Sequence, residues 1–147
     1  MYRTVYISAA MNLFSDAQLE ALLAVARRNN QRDHISGLLM YHDGSFLQVL
    51  EGEREAVEAC VTRIAANPNH KQFLRLVQGE VSDRLFPAWS MGFARPEDLG
   101  DQDKNALTGL DQVLEELPRL RSLDHRVATL IRSFFATHSD YLARLTD

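Results

Sequence analysis

Residues 35 to 52 read ISGLLMYHDGSFLQVLEG, two apolar runs on either side of His42-Asp43-Gly44-Ser45. Asp-Gly supplies the positive φ values that a tight hairpin turn demands, so the two runs are expected to pair as antiparallel strands. The second run sets one amide, Gln48, among Phe46, Leu47, Val49 and Leu50. A polar side chain buried with no partner costs roughly 1 to 3 kcal/mol. Something must meet the hydrogen bonds of Gln48.

Working outward from the hairpin, YRTVYISA at 2 to 9 has the β-branched and aromatic content of a strand. Ser15 and Gln18 form a capping box, and Leu19, Leu22, Leu23 and Ala26 recur at the spacing of one helix face, giving a first helix to about Arg28. Beyond Gly52, Val57, Cys60, Val61 and Ile64 repeat that spacing, and Asn67-Pro68-Asn69 ends a second helix. QFLRLVQGE at 72 to 80 and AWSMGFA at 88 to 94 have strand character, the latter placing Trp89, Met91 and Phe93 on one face. The order β-α-β-β-α-β is that of an α+β, ferredoxin-like sandwich with a fifth strand added.

Both faces of the expected sheet are apolar: strand one alternates Tyr6 and Ser8 with Val5 and Ile7. A sheet open to water on one side would show a polar face, so a further layer is required. Leu107, Leu110, Leu114 and Leu117 make one helical stripe ending before Pro118, and Leu120, Leu123, Val127, Leu130 and Phe134 make another. Residues 96–147 are therefore expected to form a two-helix cap on the second sheet face, in one compact unit with the domain at 1–95. Part of the surplus stripe is left for a partner subunit. A length of 147 residues suits one domain, and a net charge of -4 without a basic block argues against a nucleic-acid surface. No apolar run approaches a membrane span and no signal peptide is visible, so the cytoplasm is the expected compartment.

Motifs for hydrolysis, nucleotide binding or hydride transfer are absent. The five histidines lack ligand spacing, so no metal site is expected. Cys60 reads as a packed helix residue, and Glu51, Glu53, Glu55 and Glu58 as a solvated turn and helix start. An acylphosphatase of this topology would need a glycine-rich, arginine-bearing phosphate cradle after strand one, where SAAMNLFSD has neither. What remains is a polar set on core elements: Tyr6, Ser8, Asn29, Asn30 and Gln48. Each has an ordinary reading, Tyr6 as a core tyrosine, the asparagines as a left-handed helix cap, Gln48 as a backbone partner. Together they converge on one place, and three amides with a phenol around an apolar slot suit a flat heteroaromatic ring. A cofactor-free regulatory or protein-interaction module is the alternative.

YRTVYISAA, ARRNNQRDHISGLLMYHDGSFLQVLEGE and FPAWSMGF, in this order and separation, resemble the BLUF domains, blue-light sensors that use FAD. The resemblance covers residues 1 to about 95 and implies a photoreceptor rather than an enzyme. It implies Tyr6 as electron and proton donor to the excited flavin and Gln48 as the amide between Tyr6 and the N5 and C4 carbonyl edge of the ring. Asn30 would meet the C4 carbonyl and N3 side, with Asn29 toward the pyrimidine end and Ser8 also near the cofactor. Leu22 and Ile64 would clamp the ring faces, while Arg63 and His70 would lie toward the ribityl or phosphate end. Ala26 stands where many members have serine. Trp89 and Met91 occupy the strand-five positions whose side chains exchange places near the flavin. The partners implied are a homo-oligomer (dimer or larger) and a downstream protein, with no substrate turned over.

Overall fold

The computed structural model describes residues 1–95 and 110–138. Its elements run β1 (Tyr2–Ala10), α1 (Asp16–Asp33), β2 (Ser36–His42), β3 (Ser45–Gly52), α2 (Arg54–Ala66), β4 (His70–Glu80), β5 (Gly92–Ala94), α3 (Leu110–Leu123) and α4 (His125–His138). The sheet order is β4-β1-β3-β2-β5, antiparallel through the first four strands, with β5 added parallel to β2. This is the expected α+β, ferredoxin-like arrangement with a fifth strand.

The hairpin forms as its sequence dictates. Asp43 and Gly44 take φ values of 46° and 88°, the positive pair that lets a two-residue turn follow the twist of its strands. Across the pair, Gly37 cannot be replaced without displacing backbone, because a Cβ there would lie 1.9 Å from the Val49 carbonyl oxygen. Leu39 pairs with Gln48, and Tyr6 pairs with Gln48 from the other side, so the amide sits on the central strand with β1 and β2 as its neighbours.

The sheet separates two cores. One packs Tyr2, Tyr6, Leu39, Leu50, Met91 and Phe93 against Leu19 and Leu23 of α1 and Val57, Cys60 and Val61 of α2. The other packs Val5, Leu38, Met40, Leu47 and Val49 against Val113, Leu120, Val127, Ile131, Phe134 and Phe135. The C-terminal helices thus cover the second face.

Three boundaries differ from the sequence expectation. Helix α1 runs past Arg28 to Asp33 and ends at His34, which takes the left-handed conformation at φ 55°, so Asn29 and Asn30 lie inside the helix and are not its cap. The N-terminal capping box of Ser15 and Gln18 is present. Strand β5 has only three residues, so AWSMGFA is not a strand throughout. Helix α3 continues through Pro118 to Leu123. Proline gives up a ladder bond, but Val113 and Leu120 bury completely on either side of it and hold the helix to the sheet.

The break falls instead at Asp124, whose carboxylate accepts from the Val127 N–H as an N-cap of α4. The stripe from Leu120 to Phe134 is therefore split between two helices, and Leu123 is exposed. Leu107 lies outside the described residues.

Glu51 is the fourth correction. It is not solvated but fully buried, paired with Arg3 at 3.2 Å. It also accepts from Ser36 Oγ and from the backbone N–H groups of Leu85 and Phe86. Glu53 and Glu55 are exposed at the start of α2, as expected.

Candidate functional site

Helices α1 and α2 lie side by side on the sheet face that carries Tyr6 and Gln48. Between them opens a cavity of about 220 Å³ lined by Leu22, Val25, Ala26, Asn29, Asn30, Gln48, Cys60, Arg63, Ile64 and Asn67. Its walls follow from helical spacing: Leu22, Ala26 and Asn29 stand on the turn-by-turn edge of the α1 face whose centre, Leu19 and Leu23, is buried in the core. Leu22, Ala26 and Ile64 are only partly buried because the cavity takes the place of a packing partner.

Gln48 forms the cavity floor. The Tyr6 hydroxyl donates to Gln48 Oε1, and Tyr6 is 1% exposed. Burial raises the pKa of that phenol, so it keeps its proton through the neutral range. Gln48 Nε2 is left with the Met91 sulfur, 3.4 Å away. A thioether is a weak acceptor for an amide that carries two donor hydrogens. Asn30 Nδ2 donates to the Ser90 carbonyl at 2.8 Å, and Arg27 Nε to the Met91 carbonyl at 2.8 Å. Helix α1 therefore holds the Ser90–Met91 backbone beside Gln48.

Of the residues named from sequence, the structure brings Leu22, Ala26, Asn29, Asn30, Gln48, Arg63 and Ile64 to one cavity, with Tyr6 beneath it. Arg63 is half exposed and lies 3.6 Å from Asp33. Ser8 and His70 are not in the cavity lining; they bond to each other, with Ser8 Oγ 3.0 Å from His70 Nδ1.

Trp89 needs correcting. It does not share a face with Met91 and Phe93 but packs on the α3–α4 side, stacked on Phe86 at 5.4 Å between ring centroids. The reason is the short β5: residues 89 to 91 bend before the strand begins, so the alternation of an extended chain does not apply to them. Met91 takes the place beside Gln48. Sequence reasoning also missed Val25 and Asn67 as lining residues and placed Cys60 only as helix packing, although it is both buried and on the cavity wall. Val25 and Asn67 follow from the same helical spacing once the face is fixed.

Residues 1–92 match the BLUF family, sensors of blue-light using FAD. The chain belongs to the BLUF family. Over 93 residues it is 33% identical to the photoactivated adenylate cyclase subunit beta of Euglena gracilis, spanning 63% of this chain and 11% of that protein. It thus covers about a tenth of the length of that curated relative. BlrB, a BLUF protein in its dark-state structure, superposes with a TM-score of 0.67 at 26% identity, over 92% of this chain and 96% of BlrB. The BlrP1 structure of Klebsiella pneumoniae, with manganese and cyclic diGMP, superposes with a TM-score of 0.73 at 26% identity over 92% of this chain and 32% of that one.

The BLUF segment is a flavin-using blue-light sensor module, found in some relatives beside effectors such as adenylate cyclase. The residues present fit a flavin: aliphatic side chains on two helices for its faces, amides for its edge, and a Gln48 nitrogen whose acceptor among the described residues is the Met91 sulfur. Among the described residues no acidic, histidine or cysteine cluster could hold a metal, and no helix is long and apolar enough to cross a membrane.

The Ser8–His70 pair sets a pH dependence. Burial lowers the His70 pKa from its ordinary 6.5, so folding favours the neutral ring. Stability is full above the ordinary value and is lost as pH falls below it toward the folded one. Asp33 and Glu58, both lowered from ordinary values of 3.8 and 4.5 chiefly by hydrogen bonds from Arg32 and Arg75, act in a more acidic window. Thermal melts between pH 8 and pH 5 are expected to show the native chain losing stability relative to His70→Gln. Parallel melting temperatures through that range would refute the account.

Proposed function

We propose that this chain is a blue-light photoreceptor that binds FAD non-covalently in the cavity between α1 and α2. The observation that carries this is the placement of Gln48, which accepts from a fully buried phenol and turns its nitrogen toward a thioether at the cavity floor. Leu22 and Ile64 would contact the ring faces, Asn29 and Asn30 would serve the polar edge, and Arg63 would lie toward the charged end of the cofactor. Ser8 and His70, bonded to each other outside the cavity lining, are kept as a pair on β1 and β4. Bound flavin supplies blue-light absorption and, once excited, the capacity to accept one electron and one proton from a neighbouring phenol.

Tyr6 provides both. Its burial keeps the hydroxyl protonated until the electron leaves, and among the described residues Gln48 is the side chain placed to answer that change at both its oxygen and its nitrogen. When the amide rearranges, its contact with Met91 changes, and Met91 is joined through its backbone to Arg27 and to β5. Residues 1–95 act as the sensor and residues 96–147 as the output cap, which meets a downstream protein or another copy of the chain. No substrate is turned over.

The test is the colour and photochemistry of the purified protein. Acid release is expected to yield intact FAD, distinguished from FMN by chromatography. Blue light is expected to give a small, reversible red shift of the flavin band. A protein that takes up no flavin when supplied with it, or that keeps a covalently attached chromophore after denaturation, would remove the proposal.

A further inference from the structure

We infer that Phe73 is a positioning residue for Tyr6, fixing the plane of its ring and easing the removal of an electron from it. The inference rests on Tyr6 being the donor. Strand β4 is the sheet edge beside β1, and its pairing with β1 is irregular on both sides of Tyr6. Val5 pairs with Val77 but Tyr6 with Arg75, and Ile7 pairs with Leu74 but Ala9 with Lys71. Gln72, at φ 53°, is the left-handed residue of the second irregularity. Extra residues on β4 twist the strand locally, and the consequence here is that Phe73 turns onto the α2 side of the sheet, against Tyr6. Its ring centroid lies 4.4 Å from that of Tyr6, with 26° between the planes.

This contact bears on the photochemistry in two ways. The Tyr6 hydroxyl must stay aimed at Gln48 Oε1, and a stacked neighbour restricts rotation of the phenol about its own axis. Loss of an electron also leaves positive charge on the phenol until the hydroxyl proton follows. Tyr6 is shut off from water, so that charge must be met by protein groups, and the negative face of a stacked ring is one. Bound flavin would accept the one electron and one proton that Tyr6 gives up, and both would return to Tyr6 as the dark state is restored.

Three changes separate the roles. Phe73→Leu removes the π face, pentafluorophenylalanine at position 73 keeps the ring's shape but inverts its quadrupole, and Tyr6→Phe removes the donor. In the cofactor-free protein, NMR of Tyr6 is expected to show faster ring flips in Phe73→Leu and unchanged flips with the fluorinated ring. With flavin bound, the excited-state lifetime is expected to lengthen about two- to fivefold in both, on the scale of one aromatic contact. In a Tyr6→Phe background neither change at position 73 moves the lifetime. Lifetimes equal to the native one in both Phe73 proteins, with Tyr6→Phe lengthened, would overturn this inference alone. A native lifetime in Tyr6→Phe would overturn the donor reading and this inference with it. Should Phe73→Leu fail to fold, the fluorinated protein decides.

Discussion

Tyr6→Phe is expected to bind flavin as the native chain does and to lose the red-shifted state altogether. The substitution removes one oxygen from a side chain that is 1% exposed and stacked on Phe73, so packing survives. What disappears is the only hydroxyl that donates to Gln48 among the described residues, and with it the electron and proton source. Gln48→Leu is expected to give the same photochemical loss from the other side of that bond, because a leucine can neither accept from Tyr6 nor rearrange. The two differ in the dark. Gln48→Leu leaves the Tyr6 hydroxyl buried without an acceptor, at a cost of about 1 to 3 kcal/mol, whereas Tyr6→Phe leaves the amide oxygen beside a cavity. Absorption spectra before and after blue light, with flavin content measured in both, check this. A reversible red shift of native size in either variant would show that the Tyr6–Gln48 bond is not where light acts.

How far such a site can be read without coordinates depends on whether its geometry is local. The hairpin was legible because Asp43-Gly44 admits few conformations, and the α1 and α2 faces because four apolar residues at helical spacing leave little choice. From these the convergence of Leu22, Asn30, Gln48 and Ile64 followed. The failures are all tertiary. Asn29 and Asn30 look like a helix end, but α1 gains another turn and His34 closes it. Trp89 was placed by strand alternation in a segment where only Gly92–Ala94 is strand. Pro118 marks a helix stop by local propensity, and packing against the sheet outweighs it. Phe73 was invisible because its direction depends on two irregularities in the β1–β4 pairing. Glu51 had a signal that went unused. The alternation that points Val5 and Ile7 to the cap side also points Arg3 there, and the β1–β3 register sets Arg3 opposite Glu51.

That buried pair carries the second large effect. Glu51→Leu is expected to destabilise the fold by about 3 to 5 kcal/mol, the scale for removing one partner of a buried ion pair. For a chain of this length this amounts to roughly 10 to 15 °C in melting temperature. The carboxylate has no solvent exposure and serves four donors: Arg3 Nε, Ser36 Oγ and the N–H groups of Leu85 and Phe86. Leucine fills the volume but leaves two backbone donors unmet and Arg3 dependent on Asp124 and the Asp83 carbonyl. Arg3→Met combined with Glu51→Leu is expected to recover part of the loss, since a buried pair replaced by apolar side chains costs less than a lone buried charge.

The pair also joins the central strand to the C-terminal helices. Glu51 lies three residues beyond Gln48 on β3, its acceptors hold the segment that leads to Trp89 and Met91, and Arg3 reaches the Asp124 cap of α4 at 2.9 Å. Loss of the carboxylate should therefore loosen the 85–91 segment and the α3–α4 junction before the flavin-side helices. Hydrogen exchange is expected to rise first at Leu85, Phe86 and Val127, with α1 and α2 protected as in the native chain. A native melting temperature in Glu51→Leu, or exchange that rises equally in α1, would mean that this network neither stabilises the fold nor joins the photochemical strand to its cap.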